Sequence, residues 1–225
     1  MFGRLGLLRI NPSPKYLFVH VPKAAGESLL RWLSGNILTV KFRSPSAPRR
    51  FPTGEYLLYT GHLDTDWLVD QKFFRPKQLE GAWSFGFVRN PFRRVASLYR
   101  HNLRERAVPE MDFSEYLTFL EGLTPDAYPG RGGPSRFRAS PMSTWLRPTR
   151  WHGPREIFRF EELDDAIMRI REKTGIRSNP PRINTSDQDQ EPIQISESDV
   201  DAVRRLYSSD FQLYGYSLDP PAESV

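Results

Sequence analysis

The 225 residues are 38% hydrophobic and include fifteen Phe, nine Tyr and five Trp, enough bulky apolar material for one sizeable core. There is no cysteine, which excludes disulfides, thiolate metal sites and cysteine nucleophiles. The net charge of +5 is uneven: residues 1–110 hold 18 Lys and Arg against 8 Asp and Glu, residues 111–225 hold 14 against 19, so an anionic ligand is expected on the first half.

The N-terminal run Met1–Lys15 is broken by Arg4 and Arg9 and has no signal-peptide core. No stretch approaches the roughly 18 apolar residues of a membrane span. No helix-turn-helix, finger or RNP pattern points to nucleic acid. A cytoplasmic protein, with neither membrane nor nucleic acid as partner, is the expectation. One domain over 1–225 is expected, with 1–14 and 218–225 as frayed tails.

Lys15–Val21 reads as a buried strand, apolar and β-branched. A tight Pro-Lys-Ala-Ala-Gly turn follows. A helix is predicted over Glu27–Ser34, with Leu29, Leu30 and Leu33 on one face and Gly35 as its stop. Ile37–Phe42 and Tyr56–Thr60 are short strands on either side of a Pro/Ser/Arg-rich loop, Arg43–Thr53. Trp83–Arg89 is a third, strongly apolar strand. Asn90 caps the next helix with Pro91 at its first position, and Phe92, Val95, Ala96 and Tyr99 form its apolar stripe. Asp112–Leu120 is a helix with capping-box spacing between Asp112 and Glu115. Gly122–Pro141 is a Gly/Pro/Arg-rich loop. Glu156–Phe160 is a strand, Glu161–Thr174 a helix ended by Gly175, Ser178–Ile195 an irregular loop, and Ser196–Tyr207 a helix capped by Ser196. This alternation argues an α/β fold with a central, mostly parallel sheet flanked by helices, and ligands in such sheets bind beyond the carboxyl ends of the strands.

Two anion sites fall at such ends. Val19–Ser28 is strand, turn and helix start. Its small residues let backbone N–H groups approach an anion, the helix N-terminus adds donors and a dipole, and Lys23 adds a positive charge. It is no Walker A loop: Lys23 precedes Gly26, and G-x-x-x-x-G-K-[ST] occurs nowhere. The bland alternative is an ordinary turn with a surface lysine. Farther on, Arg89 ends a strand beside a new helix and Ser97 follows two turns later; a guanidinium fork plus a hydroxyl makes a phosphate clamp.

At this point the sequence resembles the PAPS-dependent sulfotransferases, PAPS being 3′-phosphoadenosine-5′-phosphosulfate. His20-Val-Pro-Lys-Ala-Ala-Gly-Glu-Ser28 resembles the 5′-phosphosulfate loop H-x-P-K-T-A-G-T-S of the carbohydrate branch, the branch of heparan sulfate 2-O-sulfotransferase. Arg89-Asn-Pro-Phe-Arg-Arg-Val-Ala-Ser97-Leu-Tyr99 resembles the 3′-phosphate motif R-[DN]-P-[YF]-x-R-x-x-S-x-Y. The resemblance implies a P-loop-like three-layer fold. It implies that Lys23, Ala24, Ala25, Gly26, Glu27 and Ser28 wrap the phosphosulfate, that Lys23 touches the bridging oxygen, and that Arg89 and Ser97 hold the 3′-phosphate. Two residues depart from the pattern. Ala24 lacks the hydroxyl of the usual Thr, and Glu27 brings a negative charge, so its carboxylate is expected to point away and only its N–H to contribute.

Further along, Arg159-Phe-Glu-Glu-Leu163 resembles R-[FY]-E-x-L. Pro181-Arg-Ile-Asn-Thr-Ser186 resembles a loop that in relatives covers adenine and 3′-phosphate, which makes Arg182 and Ser186 candidate ligands. Tyr207-x-x-Asp210-Phe-x-x-Tyr214-x-Tyr216 resembles the family's closing motif. The likeness runs from about residue 15 to 217.

Sulfuryl transfer needs a base for the acceptor hydroxyl. His62, in Gly61-His62 at the end of a predicted strand, resembles the branch's catalytic histidine; Asp64 and Asp66 are the runners-up. His20, on the buried strand, is read as structural, and His101 and His152 as surface residues. No metal-ligand spacing is present. The reading is a sulfotransferase that moves a sulfuryl group from PAPS to an acceptor hydroxyl, carbohydrate foremost, releasing adenosine 3′,5′-bisphosphate. The alternatives are a P-loop-type nucleotide kinase and a non-catalytic nucleotide- or glycan-binding relative.

Overall fold

A computed structural model describes residues 12–42, 51–61, 63, 65–123, 138–181 and 192–221. Five strands form one sheet: β1 (Tyr16–Val19), β2 (Thr39–Lys41), β3 (Leu57–Tyr59), β4 (Trp83–Val88) and β5 (Glu156–Arg159). Their order is β2-β3-β1-β4-β5 and every pairing is parallel. The expectation was a mostly parallel sheet flanked by helices in an α/β fold, and that is the fold found.

β1 is central because all four of its residues are apolar and buried, as a strand covered on both faces requires. Its Phe18 stacks on Phe85 of β4 with ring centroids 4.9 Å apart. The chain leaves β1 for β2 and β3 on one side and returns to β4 on the other. The loops after β1 and β4 therefore meet at the point where the strand order reverses, the place where open α/β sheets bind ligands.

The helices are α1 (Glu27–Asn36), α2 (Thr65–Asp70), α3 (Pro76–Glu80), α4 (Pro91–Arg104), α5 (Phe113–Gly122), α6 (Ser143–Leu146), α7 (Leu163–Thr174), α8 (Glu197–Leu206) and α9 (Ser208–Tyr214). Asn90 caps α4, its Oδ1 accepting from the N–H of Phe92 at 3.0 Å and of Arg93 at 3.3 Å. Asp112 and Ser196 each complete a capping box, on α5 and α8. Gly175 ends α7 in the left-handed conformation. The apolar stripe of α4 (Phe92, Val95, Ala96) packs with Phe113, Tyr116 and Leu117 of α5, Val203 of α8 and Phe211 of α9 into a second core beside the sheet core.

Some elements differ from the sequence expectation. α1 runs through Gly35 to Asn36, because the Asn36 side chain donates to the Trp32 carbonyl at 2.8 Å and binds the last turn. Short helices α2, α3, α6 and α9 appear where no periodicity announced them; none exceeds seven residues, too few for a pattern. Asp66, a runner-up base, is 5% exposed. Its carboxylate accepts from the N–H and hydroxyl of Thr149 at 2.7 and 2.8 Å and from the N–H of Arg150 at 3.0 Å. Its carboxylate thus holds the turn at Thr149–Arg150 against α2.

Among the described residues no helix is long and apolar enough to cross a membrane. The termini 1–11 and 222–225, which include most of the expected tails, lie outside the described residues.

Candidate functional site

The turn after β1 is held in an unusual backbone conformation. Lys23 and Ala25 both have φ of 65°, the left-handed region, though neither is glycine. Each such residue costs about 1–3 kcal/mol, and such strain concentrates at ligand sites. Alternating left-handed residues turn successive N–H groups toward one side, the arrangement of an anion nest. Ala24 and Ala25 bury their methyl groups, at 0% and 8% exposure, so the loop turns its side chains inward. Glu27 is exposed to solvent in the first turn of α1, while Lys23 and Ser28 are half-buried. No side chain caps α1.

The loop rests on His20. This ring is 4% exposed, its Nδ1 is 2.7 Å from the Tyr59 hydroxyl, and it stacks on the Tyr59 ring with centroids 5.3 Å apart. A Cβ on Gly26 would lie 2.0 Å from His20 Nε2. Only glycine lets the chain cross the imidazole so closely.

Two arginines grip the same loop from the other side. Arg89, 7% exposed at the end of β4, donates from Nη1 to the Lys23 carbonyl at 3.3 Å, and its guanidinium lies 4.6 Å from the centre of the Phe160 ring. Arg94, 1% exposed, donates from Nε to the Pro22 carbonyl at 3.1 Å and from Nη2 to the Arg138 carbonyl at 2.9 Å. It also faces the rings of Trp145 and Tyr207.

Arg94, Ser97, His101 and Arg104 recur at i, i+3, i+7 and i+10, one stripe of α4 opposite its apolar stripe. Ser97 is 6% exposed. α4 is thus buried on two sides, by an apolar core on one and, through Arg94, against the turn after β1 on the other. His101, read from the sequence as a surface residue, is half-buried instead. Burial and the nearby charges of Lys23, Arg138 and Arg104 hold its imidazole below the usual histidine range. Sequence reasoning missed the burial of His101 because a histidine on the basic part of a helix ordinarily faces water. The spacing from Ser97 was the available signal.

The later segments brace this centre. The Glu161 carboxylate accepts from the Asn90 N–H at 2.7 Å and from the Tyr216 hydroxyl at 3.0 Å, tying the end of β4 to the C-terminal segment. Burial, then the charge of Glu161, pushes the Tyr216 phenol well up. Asp210, 0% exposed, accepts from the N–H groups of Met142 at 2.7 Å and Ser143 at 3.0 Å; burial raises its carboxyl above the usual range. The Arg89 N–H in turn lies 3.3 Å from Met142 Sδ.

Gly61, at the end of β3, has φ of 60°, and a Cβ there would meet the Phe42 carbonyl at 2.6 Å, so the turn before position 62 demands glycine. His62 and Asp64 themselves lie outside the described residues, as do Arg182 and Ser186. The structure therefore brings the Lys23–Ser28 turn and Arg89 together, buries Ser97 on α4, and leaves the other four candidates undescribed. Among the described residues no group of His, Asp or Glu is arranged to hold a metal ion.

A protein-family model described as the sulfotransferase family matches residues 7–217. No curated protein matches the chain. Among solved structures, the crystal structure of a sulfotransferase from Alicyclobacillus acidocaldarius is similar, with 16% identity, a TM-score of 0.49, and coverage of 88% of this chain and 93% of that one.

Proposed function

The chain belongs to the sulfotransferase family, and from that premise we propose that it transfers a sulfuryl group from PAPS to a hydroxyl of a carbohydrate or glycosylated acceptor. The observation that carries this reading is the joining of two anion sites. The left-handed loop at Lys23–Ala25 and the buried Arg89 are one hydrogen bond apart, 3.3 Å from Nη1 to the Lys23 carbonyl. A nucleotide with phosphates at both its 5′ and 3′ positions needs such a pair; ADP needs only the first.

In this mechanism the N–H groups from Lys23 to Ser28 cradle the 5′-phosphosulfate, and Arg89 and Ser97 take the 3′-phosphate. The acceptor oxygen attacks sulfur in line. The bond from sulfur to the bridging oxygen breaks, and that oxygen leaves on adenosine 3′,5′-bisphosphate. The Lys23 ammonium stabilises the charge that develops there. His62 takes the acceptor's proton, and Arg182 and Ser186 close over the nucleotide. The resemblance to the branch of heparan sulfate 2-O-sulfotransferase supports the carbohydrate acceptor and the histidine base.

Calorimetry with adenosine 3′,5′-bisphosphate against ADP tests the donor site. The bisphosphate is expected to bind at least ~10-fold more tightly, and Arg89→Ala to remove that preference, since a charge-assisted hydrogen bond contributes about 1.5–3 kcal/mol. Equal affinity for the two nucleotides in the unaltered protein overturns the assignment.

For the base, His62→Ala is expected to lower kcat/KM by roughly 10²–10⁴-fold with bisphosphate affinity unchanged. An unchanged rate in His62→Ala removes His62 from the mechanism. Bisphosphate binding with no turnover on any acceptor marks a non-catalytic relative.

A further inference from the structure

The stripe Arg94–Ser97–His101–Arg104 extends one turn beyond the last residue that the donor reading uses. Arg94 fixes the stripe against the loop through the Pro22 carbonyl at 3.1 Å, and through the Arg138 carbonyl at 2.9 Å it fixes Arg138 beside it. His101 lies one turn beyond Ser97 on the same face. Lys23 from the loop, Arg138, and Arg104 from the next turn all act on it, and among the described residues Glu105 is the acidic group that does. The acidic groups of α5 that reach α4, Asp112 and Glu115, act on Tyr99 on the other face. On α8, also packed on α4, Arg204 pairs with Asp201, Arg205 pairs with Glu121, and Asp199 is bonded to Ser196. None of them offsets the cations around His101.

We propose that His101 is a third side chain of the donor-nucleotide site, beside Arg89 and Ser97, and that its imidazole takes up a proton as the polyanionic nucleotide binds. The proposal rests on the donor reading above. In the free protein, Arg104 Nη2 lies 3.4 Å from His101 Nδ1. An arginine only donates, so this contact holds the neutral imidazole with its proton on Nε2. Burial, and after it three cations against the Glu105 carboxylate, make a second proton unfavourable. An incoming polyanion reverses the local field, and the imidazolium then adds a charge-assisted donor to the ligand.

The sign follows from linkage. The imidazole binds its proton more weakly in the free protein than in the complex, so proton and nucleotide bind cooperatively, and affinity rises as pH falls through the interval between the two titrations.

The test is calorimetry of adenosine 3′,5′-bisphosphate binding between pH 5.5 and 7.5, in two buffers of different ionisation enthalpy, with the unaltered protein and His101→Gln. The nucleotide's own phosphates titrate near ~6 and exchange protons in both cases, so the readout is the difference between the two proteins. Near pH 6 the unaltered protein is expected to take up on the order of half a proton more than the variant, and to gain roughly 3–10-fold more affinity between pH 7.5 and 5.5. Equal proton counts overturn the proposal while leaving the donor site standing. A bisphosphate that binds no better than ADP overturns the donor reading and this proposal together. Should the variant fold poorly, the four histidines of the unaltered chain can be titrated by NMR. The His101 resonance should titrate at higher pH with the bisphosphate bound, and an unmoved titration overturns the proposal.

Discussion

Gly26→Ala is expected to unseat the donor loop and to abolish measurable binding of adenosine 3′,5′-bisphosphate, although the backbone at this position, with φ of −77° and ψ of −65°, suits alanine. The effect is steric. The added Cβ would lie 2.0 Å from Nε2 and 2.6 Å from Cε1 of His20. That ring has no room to retreat, being held by the Tyr59 hydroxyl at 2.7 Å and packed between Tyr59 and Phe18. Overpacking of this kind costs about 1–3 kcal/mol, a fall in Tm of roughly 3–10 °C for a chain of this size. The loop can escape only by lifting off the imidazole, which removes its N–H groups from their common direction. Gly35→Ala is the matched control: a Cβ there meets nothing within 4 Å, it lies inside α1, and the substitution should stabilise by about 0.5–1 kcal/mol. Thermal unfolding and calorimetry on both variants check the pair. Full nucleotide affinity in Gly26→Ala rejects the loop as the donor cradle.

Lys23→Met is expected to lower the rate of sulfuryl transfer by about 10²–10³-fold, the usual effect of removing one group that stabilises charge in a transition state. Bisphosphate affinity should fall far less, because the backbone N–H groups and Arg89 remain. Lys23→Gly separates the amine from the loop it sits on. Lys23 has φ of 65°, so glycine relieves the strain of a left-handed residue and should leave the protein at least as stable. It should nevertheless be as inactive as the methionine variant, since both lack the ammonium. Transfer of labelled sulfate from PAPS, followed with stability by thermal unfolding, distinguishes the two contributions. Activity retained in the glycine variant assigns the role to the loop and not to the amine.

Much of the architecture could be read from residue order alone. Lys15–Val21 and Trp83–Arg89 are apolar runs bounded by Pro, Gly and Asn, and such runs have few structures open to them other than a buried parallel strand. Asn90-Pro91, Asp112 with Glu115, Ser196 and Gly175 mark helix ends by local hydrogen bonding and backbone geometry, which need no distant partner. The two segments proposed to bind anions stand out in the same way, because each lies within a dozen consecutive residues.

What the sequence left undecided depends on residues far apart in the chain. Nothing near Arg94 in sequence announces the partner of its guanidinium; β1 brings Pro22, 72 positions away, within 3.1 Å. Asp66 reads as a possible base until its carboxylate meets Thr149, 83 positions away. Glu161 and Asp210 belong to motifs too weak to interpret singly; Asn90 and Met142 give them their purpose. The sequence by itself determined the strand-turn-helix junctions at Val19–Ser28 and Arg89–Tyr99, because local chemistry specifies both. Only the tertiary structure decided that the two junctions meet, with Arg89 Nη1 on the Lys23 carbonyl at 3.3 Å. The order β2-β3-β1-β4-β5 sets the ends of β1 and β4 side by side. Long-range burial then sets the guanidinium groups of Arg89 and Arg94 against the loop's own carbonyls.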